Sequence, residues 1–307
     1  MVLVPLVQAV LAVGSAAQAQ APADPVAALT ARQKAALVVV SGLPAPKGVA
    51  GVIVRRWDRT EPRPGGALVF VDQEGGAVRA FPGLPPSMSA AAYVSRRQAT
   101  SAGRVAGRAL RRAGVHVDLA PVVDLATGPL GSHLFRDPQL AVAFTRGLEA
   151  SGAASCPKHF PGLGTAPLST DDDPHVPARV TARELRTFRA SIRAGARCVM
   201  VSHAFYPRFG ERRAVAAPGA YRLLRRLGFD GVAITDSLSI VRGPWPVRWA
   251  RRAALAGADM LLFTSPDDAR QAIRALVPLA REGRLDPAVR RVLRLRRSVG
   301  LTPVSGW

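Results

Sequence analysis

The 307-residue chain has only two cysteines, Cys156 and Cys198, which excludes a disulfide-built scaffold and any multi-cysteine zinc module. Both stand in apolar surroundings, Ala153-Ala154-Ser155-Cys156 and Arg197-Cys198-Val199-Met200. They are expected as buried reduced thiols, because a bridge between them would require neighbouring strands. Aromatic residues are scarce at 6%, and neither recognition-helix nor zinc-finger spacing occurs. A nucleic-acid module would interleave stacking rings with its basic residues, so no specific nucleic acid is expected as a partner. No internal apolar run reaches the ~20 residues of a membrane helix, so no span is expected in the mature chain. Lysine is nearly absent, with Lys34, Lys47 and Lys158 among 42 basic residues. Acids are half as many, at 21, which leaves a formal net charge of +21.

That charge is arginine, placed in pairs along helical patterns such as Arg96-Arg97, Arg111-Arg112, Arg225-Arg226 and Arg296-Arg297. It reads as solvated helix faces, whose summed field attracts polyanions without naming a function. Hydrophobic residues make up 48% and charged residues 21%, enough to bury the core of one large domain. The N-terminus carries an apolar stretch over 2–13 and then Ala17-Gln18-Ala19-Gln20-Ala21. An apolar core followed by an A-x-A-like site is the pattern of a secretory leader. Residues 1–24 are therefore read as a leader and 25–307 as the domain, exported to the cell wall or beyond.

From residue 30 onward one theme repeats: a short β-branched apolar run, a polar or Gly/Pro loop, then an amphipathic stretch. The runs are 36–40, 51–54, 67–71, 115–119, 153–156, 198–201, 232–235 and 260–263. Helical patterns lie at 99–112, 138–150, 181–194, 217–227 and 247–256, and a basic amphipathic helix at 285–299. Short runs buried on both faces and alternating with helices indicate parallel strands. Eight of them without a composition break indicate an α/β fold, a single-domain (β/α)8 barrel of the TIM type. No G-x-G-x-x-G opens a helix after the first strand, which lowers the dinucleotide-binding option.

In such a barrel chemistry collects where strands end. The strand ends here read Asp72-Gln73-Glu74, Asp124, Lys158-His159, Ser202-His203 and Asp236-Ser237. Five convergent polar positions predict a polar ligand pocket. The five histidines, His116, His133, His159, His175 and His203, lack ligand spacing on one element, so no metal and no cofactor is expected.

These strand ends also carry a family pattern. Asp72-Gln73-Glu74-Gly75-Gly76, Leu119-Ala120-Pro121-Val122-Val123-Asp124 and Lys158-His159-Phe160-Pro161-Gly162-Leu163-Gly164 occur in that order. Val199-Met200-Val201-Ser202-His203 and Ile234-Thr235-Asp236-Ser237-Leu238 follow. The ordered set resembles the N-terminal barrel of glycoside hydrolase family 3, in particular its single-domain bacterial β-N-acetylglucosaminidases. The resemblance implies a retaining exo-β-N-acetylhexosaminidase that removes terminal N-acetylglucosamine from peptidoglycan or chitin-type fragments. The alternatives are a β-glycosidase for another sugar, or a catalytically impaired glycan-binding relative. A monomer with a glycan substrate is expected, with anionic cell-wall polymers as further partners.

By the same resemblance Asp236 is the nucleophile, and Asp72, Lys158, His159 and His203 grip the sugar hydroxyls. The family's proton donor is a histidine held by an aspartate in the loop after Lys-His-Phe-Pro-Gly. Here that loop reads Thr170-Asp171-Asp172-Asp173-Pro174-His175. Asp173 and His175 match the dyad in kind, while ungapped counting from Lys158 lands on Asp171, so both His175 and Asp171 stand as donor candidates. The family often has Arg-Ser-Phe before Asp-Pro, with the arginine on the sugar. This chain has His133-Leu134-Phe135-Arg136-Asp137-Pro138, which displaces that arginine to Arg136 or removes it. Family arginines are also replaced at Ala77 and Ala80.

Overall fold

The computed structural model describes residues 24–301, except 126, 174, 211 and 241–245. The leader expected over 1–24 lies outside the described residues save for Asp24, as does the tail from 302 onward. In chain order the elements are α1 (Ala31–Ala36), β1 (Val39–Ser41), β2 (Gly51–Ile53), β3 (Leu68–Val71), and the hairpin strands β4 (Gln73–Gly75) and β5 (Val78–Arg79). Then come α2 (Arg96–Arg112), β6 (Val117–Asp118), α3 (Pro138–Glu149), β7 (Ala154–Ser155), α4 (Ala182–Arg193) and β8 (Cys198–Val201). The chain continues with α5 (Pro218–Arg226), β9 (Val232–Thr235), α6 (Pro246–Ala256), β10 (Leu261–Phe263), α7 (Pro266–Arg281) and α8 (Asp286–Ser298).

All eight expected strand runs are strands, with one boundary corrected. Ala36 closes α1, whose Thr30 and Gln33 form a reciprocal capping box, and β1 starts only at Val39. Six strands form one parallel sheet in the order β10-β1-β2-β3-β6-β7, and β8 pairs parallel with β9. Single bridges join the two sets. Phe160 pairs with Val201 beyond β7, and Ile234 of β9 pairs with Met260 just before β10. The Phe160 N–H donates to Met200 O at 2.8 Å, and the Thr235 N–H to Met260 O at 3.0 Å. The parallel strands thus run in a closed order that returns from β10 to β1. No helix lies between β1 and β2 or between β2 and β3, where the expected alternation lapses.

Side chains alternate across each strand, and the two faces enter different clusters. Val40, Ile53, Phe70, Val117, Ala154, Met200, Ile234 and Leu262 gather into one inner apolar cluster drawn from every strand of the circuit. Val39, Val52, Val69, Val199, Ala233 and Leu261 face outward into the layer shared with the helices. Val292, Leu295 and Val299, from α8 and its end, join the inner cluster and close one mouth. Arg111 fixes which mouth, bonding both Val299 O and Val115 O, the latter just before β6. Helix α8 therefore plugs the N-terminal ends of the strands, and the polar strand ends open on the opposite side.

Two expectations are corrected here. Cys156 and Cys198 form a disulfide, with Cα atoms 4.4 Å apart, because Cys156 directly follows β7, Cys198 opens β8, and these two strands are neighbours. The arginine pairs are also not all solvated. Arg225 and Arg291 both turn in to the buried carboxylate of Asp259, and Arg296 is itself buried.

Candidate active site

Four strand ends and the hairpin converge on one charged cluster. Lys158, three residues past β7, is buried, and its Nζ lies 2.5 Å from Asp72 Oδ1 and 2.7 Å from Glu74 Oε1. The other Glu74 oxygen lies 2.8 Å from His133 Nδ1. Burial alone would discharge this lysine, yet Asp72 and Glu74 hold its pKa above that of a free lysine. Burial likewise opposes charge on Glu74, but Lys158 and His133 outweigh it and bring the carboxyl down to about 2. The bond from Glu74 in turn raises His133, against partial burial. Asp72 remains the accessible end of the chain, its side chain 36% exposed against 6% for Lys158.

The hairpin holds Asp72 and Glu74 in place through a buried Gln73, whose side-chain amide donates to Phe81 O and Leu84 O and accepts from the Phe81 N–H. Asp118, the last residue of β6, accepts from the Gln73 N–H at 3.0 Å, while its other oxygen is buried without a partner. Burial pushes its pKa well above the usual carboxylate range.

Asp124 organises the next strand end. Its carboxylate accepts from the N–H groups of His159 and Leu163, and Oδ2 lies 2.9 Å from His159 Nδ1. Burial would lower His159, but the bond to Asp124 and the nearby Asp236 raise it above an ordinary imidazole. With Nδ1 given to Asp124, Nε2 makes no hydrogen bond among the described residues.

Asp236 follows β9 and continues the ladder by donating its N–H to Val201 O at 2.9 Å. Its half-buried side chain accepts from the Ser237 N–H at 2.7 Å. His203, fully buried after β8, lies with Nε2 2.6 Å from Ser237 O, so Nε2 must carry the proton. Its Nδ1 is buried without a partner, and burial keeps this histidine below its ordinary pKa despite the pull of Asp236.

The loop leading into α4 carries the donor candidates. Its root is tied by Glu184 of α4, which accepts from the Gly164 N–H and the Thr181 hydroxyl, each at 2.6 Å. Gly162 (φ +126°) rests so closely on this carboxyl that any Cβ would collide with it. Asp171 reaches solvent on one side, yet lies within the fields of Asp236, His159, Lys158 and Asp72. Partial burial, then the Asp236 carboxylate, raise its pKa. His175 points elsewhere. It is 71% exposed, stacks on Phe205 with ring centroids 6.2 Å apart, and keeps Nδ1 3.5 Å from Asp173 Oδ1. Arg213 lies over the same Phe205 ring, 4.8 Å from its centroid.

Asp72, Lys158, His159, His203 and Asp236 are thus brought together, with Asp171 at the edge. Asp173 and His175 are not, and Arg136 is exposed and makes no ion pair among the described residues. The residue of that stretch that reaches the cluster is His133. Sequence reasoning did not assign roles to Glu74, Asp124, His133 or Glu184. Glu74 and Asp124 stand inside the motifs and were open to it, whereas nothing in the sequence ties His133 to a partner 59 positions away. A separate groove of about 480 Å³ beside α2, lined by Pro86, Met88, Tyr93 and Val105, contains none of these groups and none of this chemistry. Among the described residues no cluster of three or more His, Cys, Asp or Glu is arranged to hold a metal.

A half-buried carboxylate at a strand tip, facing a fixed cation and polarised imidazoles, suits nucleophilic attack beside anchored hydroxyls. Residues 53–295 match the model of the glycosyl hydrolase family 3 N-terminal domain. The chain is 34% identical over 242 residues to a beta-hexosaminidase of Stenotrophomonas maltophilia, covering 70% of this chain and 71% of the relative. It superposes on a glycoside hydrolase family 3 beta-N-acetylglucosaminidase from a Paenibacillus species with a TM-score of 0.79 at 25% identity. That match covers 91% of this chain but only 64% of the Paenibacillus chain. A beta-N-acetylhexosaminidase from Beutenbergia cavernae superposes with a TM-score of 0.76 at 28% identity, covering 88% of this chain and 99% of that one.

Proposed function

Because the chain belongs to glycosyl hydrolase family 3 and is a glycoside hydrolase of the β-N-acetylhexosaminidase type, we propose that it removes terminal β-linked N-acetylglucosamine from peptidoglycan or chitin-type fragments. Hydrolysis proceeds with retention. Asp236 attacks the anomeric carbon and forms a glycosyl-enzyme ester while the leaving oxygen takes a proton, and water then releases the sugar. Lys158, Asp72 and His159 bind the sugar hydroxyls, and Asp124 and Glu74 fix the two cations. The neutral His203 turns the backbone at Ser237 and so sets the direction of Asp236. The observation that carries this reading is the convergence of Asp236 with the buried Lys158–Asp72 pair and the Asp124-oriented His159 at strand ends.

Asp171 is the donor this geometry favours, since its carboxyl lies within the field of Asp236 and its pKa is raised by partial burial and by that carboxylate. A second reading gives the role to His175, because Asp173 already lies against its ring. The two separate on aryl N-acetylglucosaminides. Asp236→Asn is expected to abolish turnover. Loss of the true donor is expected to cost ~10²–10⁴-fold on poor leaving groups and far less on activated ones. Turnover by Asp236→Asn at the native rate, or none by the native protein on any aryl β-glycoside, overturns the proposal.

Export is part of the proposal. A disulfide between Cys156 and Cys198 supports an oxidising compartment, and the net charge of +21 supports retention near anionic envelope polymers.

A further inference from the structure

Helices α3 and α4 pack side by side on the outer layer, and between them runs a groove of about 440 Å³. Its walls hold four arginines, Arg146 from α3 and Arg186, Arg189 and Arg193 from α4, all exposed. The spacing of 186, 189 and 193 stacks three guanidinium groups on one helix face over two turns, about 10 Å of axis. Repulsion at that spacing is ordinarily relieved by interleaved acids, and here it is not. Glu149 of α3 is taken by Arg197 and Ser155, and Glu184 of α4 faces inward to Gly164 and Thr181. Asp137 caps the start of α3 outside the groove lining. Elsewhere arginines do find acids, as with Arg55 and Asp58, Arg290 and Asp24, or Arg225 and Arg291 with Asp259.

We propose that this groove is a docking site for a flexible phosphodiester polymer of the polyol-phosphate kind. Guanidinium forks match phosphate oxygens in pairs, and four in line suit a chain carrying one charge per repeat. The remaining lining, Gln139, Val142, Ala190 and Ala194, contains no aromatic ring, so it offers nothing on which a nucleic-acid base would stack. The site is concave and has no protruding apolar side chain of the kind that enters a lipid surface. Helix α4 starts at the end of the loop that carries Asp171, so the stripe begins on the side where the candidate active site opens. A polymer held there would keep the mouth close to the wall that bears the substrate. The choice of polymer rests on the envelope-glycosidase reading, whereas the presence of an anion groove does not.

The test is binding of the full chain to fluorescent poly(glycerol phosphate) across a salt series. The variant Arg146→Gln/Arg186→Gln/Arg189→Gln/Arg193→Gln is compared with Arg96→Gln/Arg104→Gln/Arg108→Gln/Arg112→Gln on α2, which removes the same charge. The groove variant is expected to bind about tenfold or more weakly, its log–log salt slope shallower by roughly 2–3. The α2 variant is expected to lose little. Hydrolysis of a small aryl N-acetylglucosaminide is expected to stay unchanged in the groove variant, which reports on its folding. Should the quadruple variant misfold, the singles Arg186→Gln and Arg189→Gln are each expected to lose part of the slope. Equal losses in the groove and α2 variants overturn the proposal, as does single-stranded DNA or an anionic vesicle binding the groove as tightly as the polymer. Since the binding readout needs no turnover, an inactive enzyme with a working groove refutes only the catalytic reading.

Discussion

Lys158 Nζ stands 2.5 Å from Asp72 Oδ1 in a pair whose lysine is buried and whose aspartate still meets solvent. The ammonium is neutralised from within by Glu74 and left to share Asp72 with a ligand.

Removing the cation strands the two carboxylates that it pairs with. Lys158→Met is expected to destabilise the fold by about 3–5 kcal/mol, the usual cost of breaking a buried ion pair from one side. Asp72→Asn keeps the Glu74 partner, so it is expected to change stability little while lowering kcat/KM sharply. Chemical denaturation together with kinetics on an aryl glycoside checks both.

The acid limit of stability follows from Glu74. Its carboxyl is held at about 2 in the fold, below its ordinary value of 4.5. A depressed carboxylate contributes stability that is present above the unfolded pKa and lost as pH falls through the folded one. The loss is therefore expected between about pH 4.5 and 2, on the order of 3 kcal/mol. His133 has the opposite sign, because its pKa is raised and its share fades as pH climbs through the folded value. Glu74→Gln is expected to flatten both limbs, as measured by denaturation midpoints across pH.

The disulfide closes a segment with a sequence separation of 42 that contains the loop after β7 and α4. Native protein denatured without reductant is expected to show no titratable thiol, and two after reduction. Cys156→Ser is expected to cost about 2–4 kcal/mol. Two free thiols in protein purified without reductant would contradict the bridge.

Glu184 bonds the root of the loop and acts through it. Glu184→Ala leaves the Gly164 N–H and the Thr181 hydroxyl without their acceptor, at a cost of about 1–3 kcal/mol. If its role is positioning, kcat falls more than KM rises, and Glu184→Gln, which still accepts a bond, recovers much of the rate. Equal loss of activity and folded fraction would reduce it to a structural residue.

The eight strands were legible because each is a short apolar run buried on both faces, a pattern independent of its partners. The hairpin was not, since Gln73–Gly75 is polar and becomes strand only because Gln73 finds Phe81 and Leu84. Helices α1 and α7 also escaped the reading, although Thr30 and Ser265 cap them by ordinary local rules. Within the candidate site the ordered motifs marked Asp72, Lys158, His159, His203 and Asp236 in advance. Two donor candidates are legible in the loop, and the fold sets Asp171 within the field of Asp236 and stacks His175 on Phe205.

Local chemistry in the chain determined the eight parallel strands, the α/β layout and which strand tips bear charge, because period and burial are written residue by residue. Only the tertiary structure decided that Glu74 joins His133 to Lys158, that Cys156 meets Cys198, and that four arginines from two helices share a groove. Each of those depends on how far the twisted strands and packed helices bring distant segments together, a distance that the order of residues does not encode by itself.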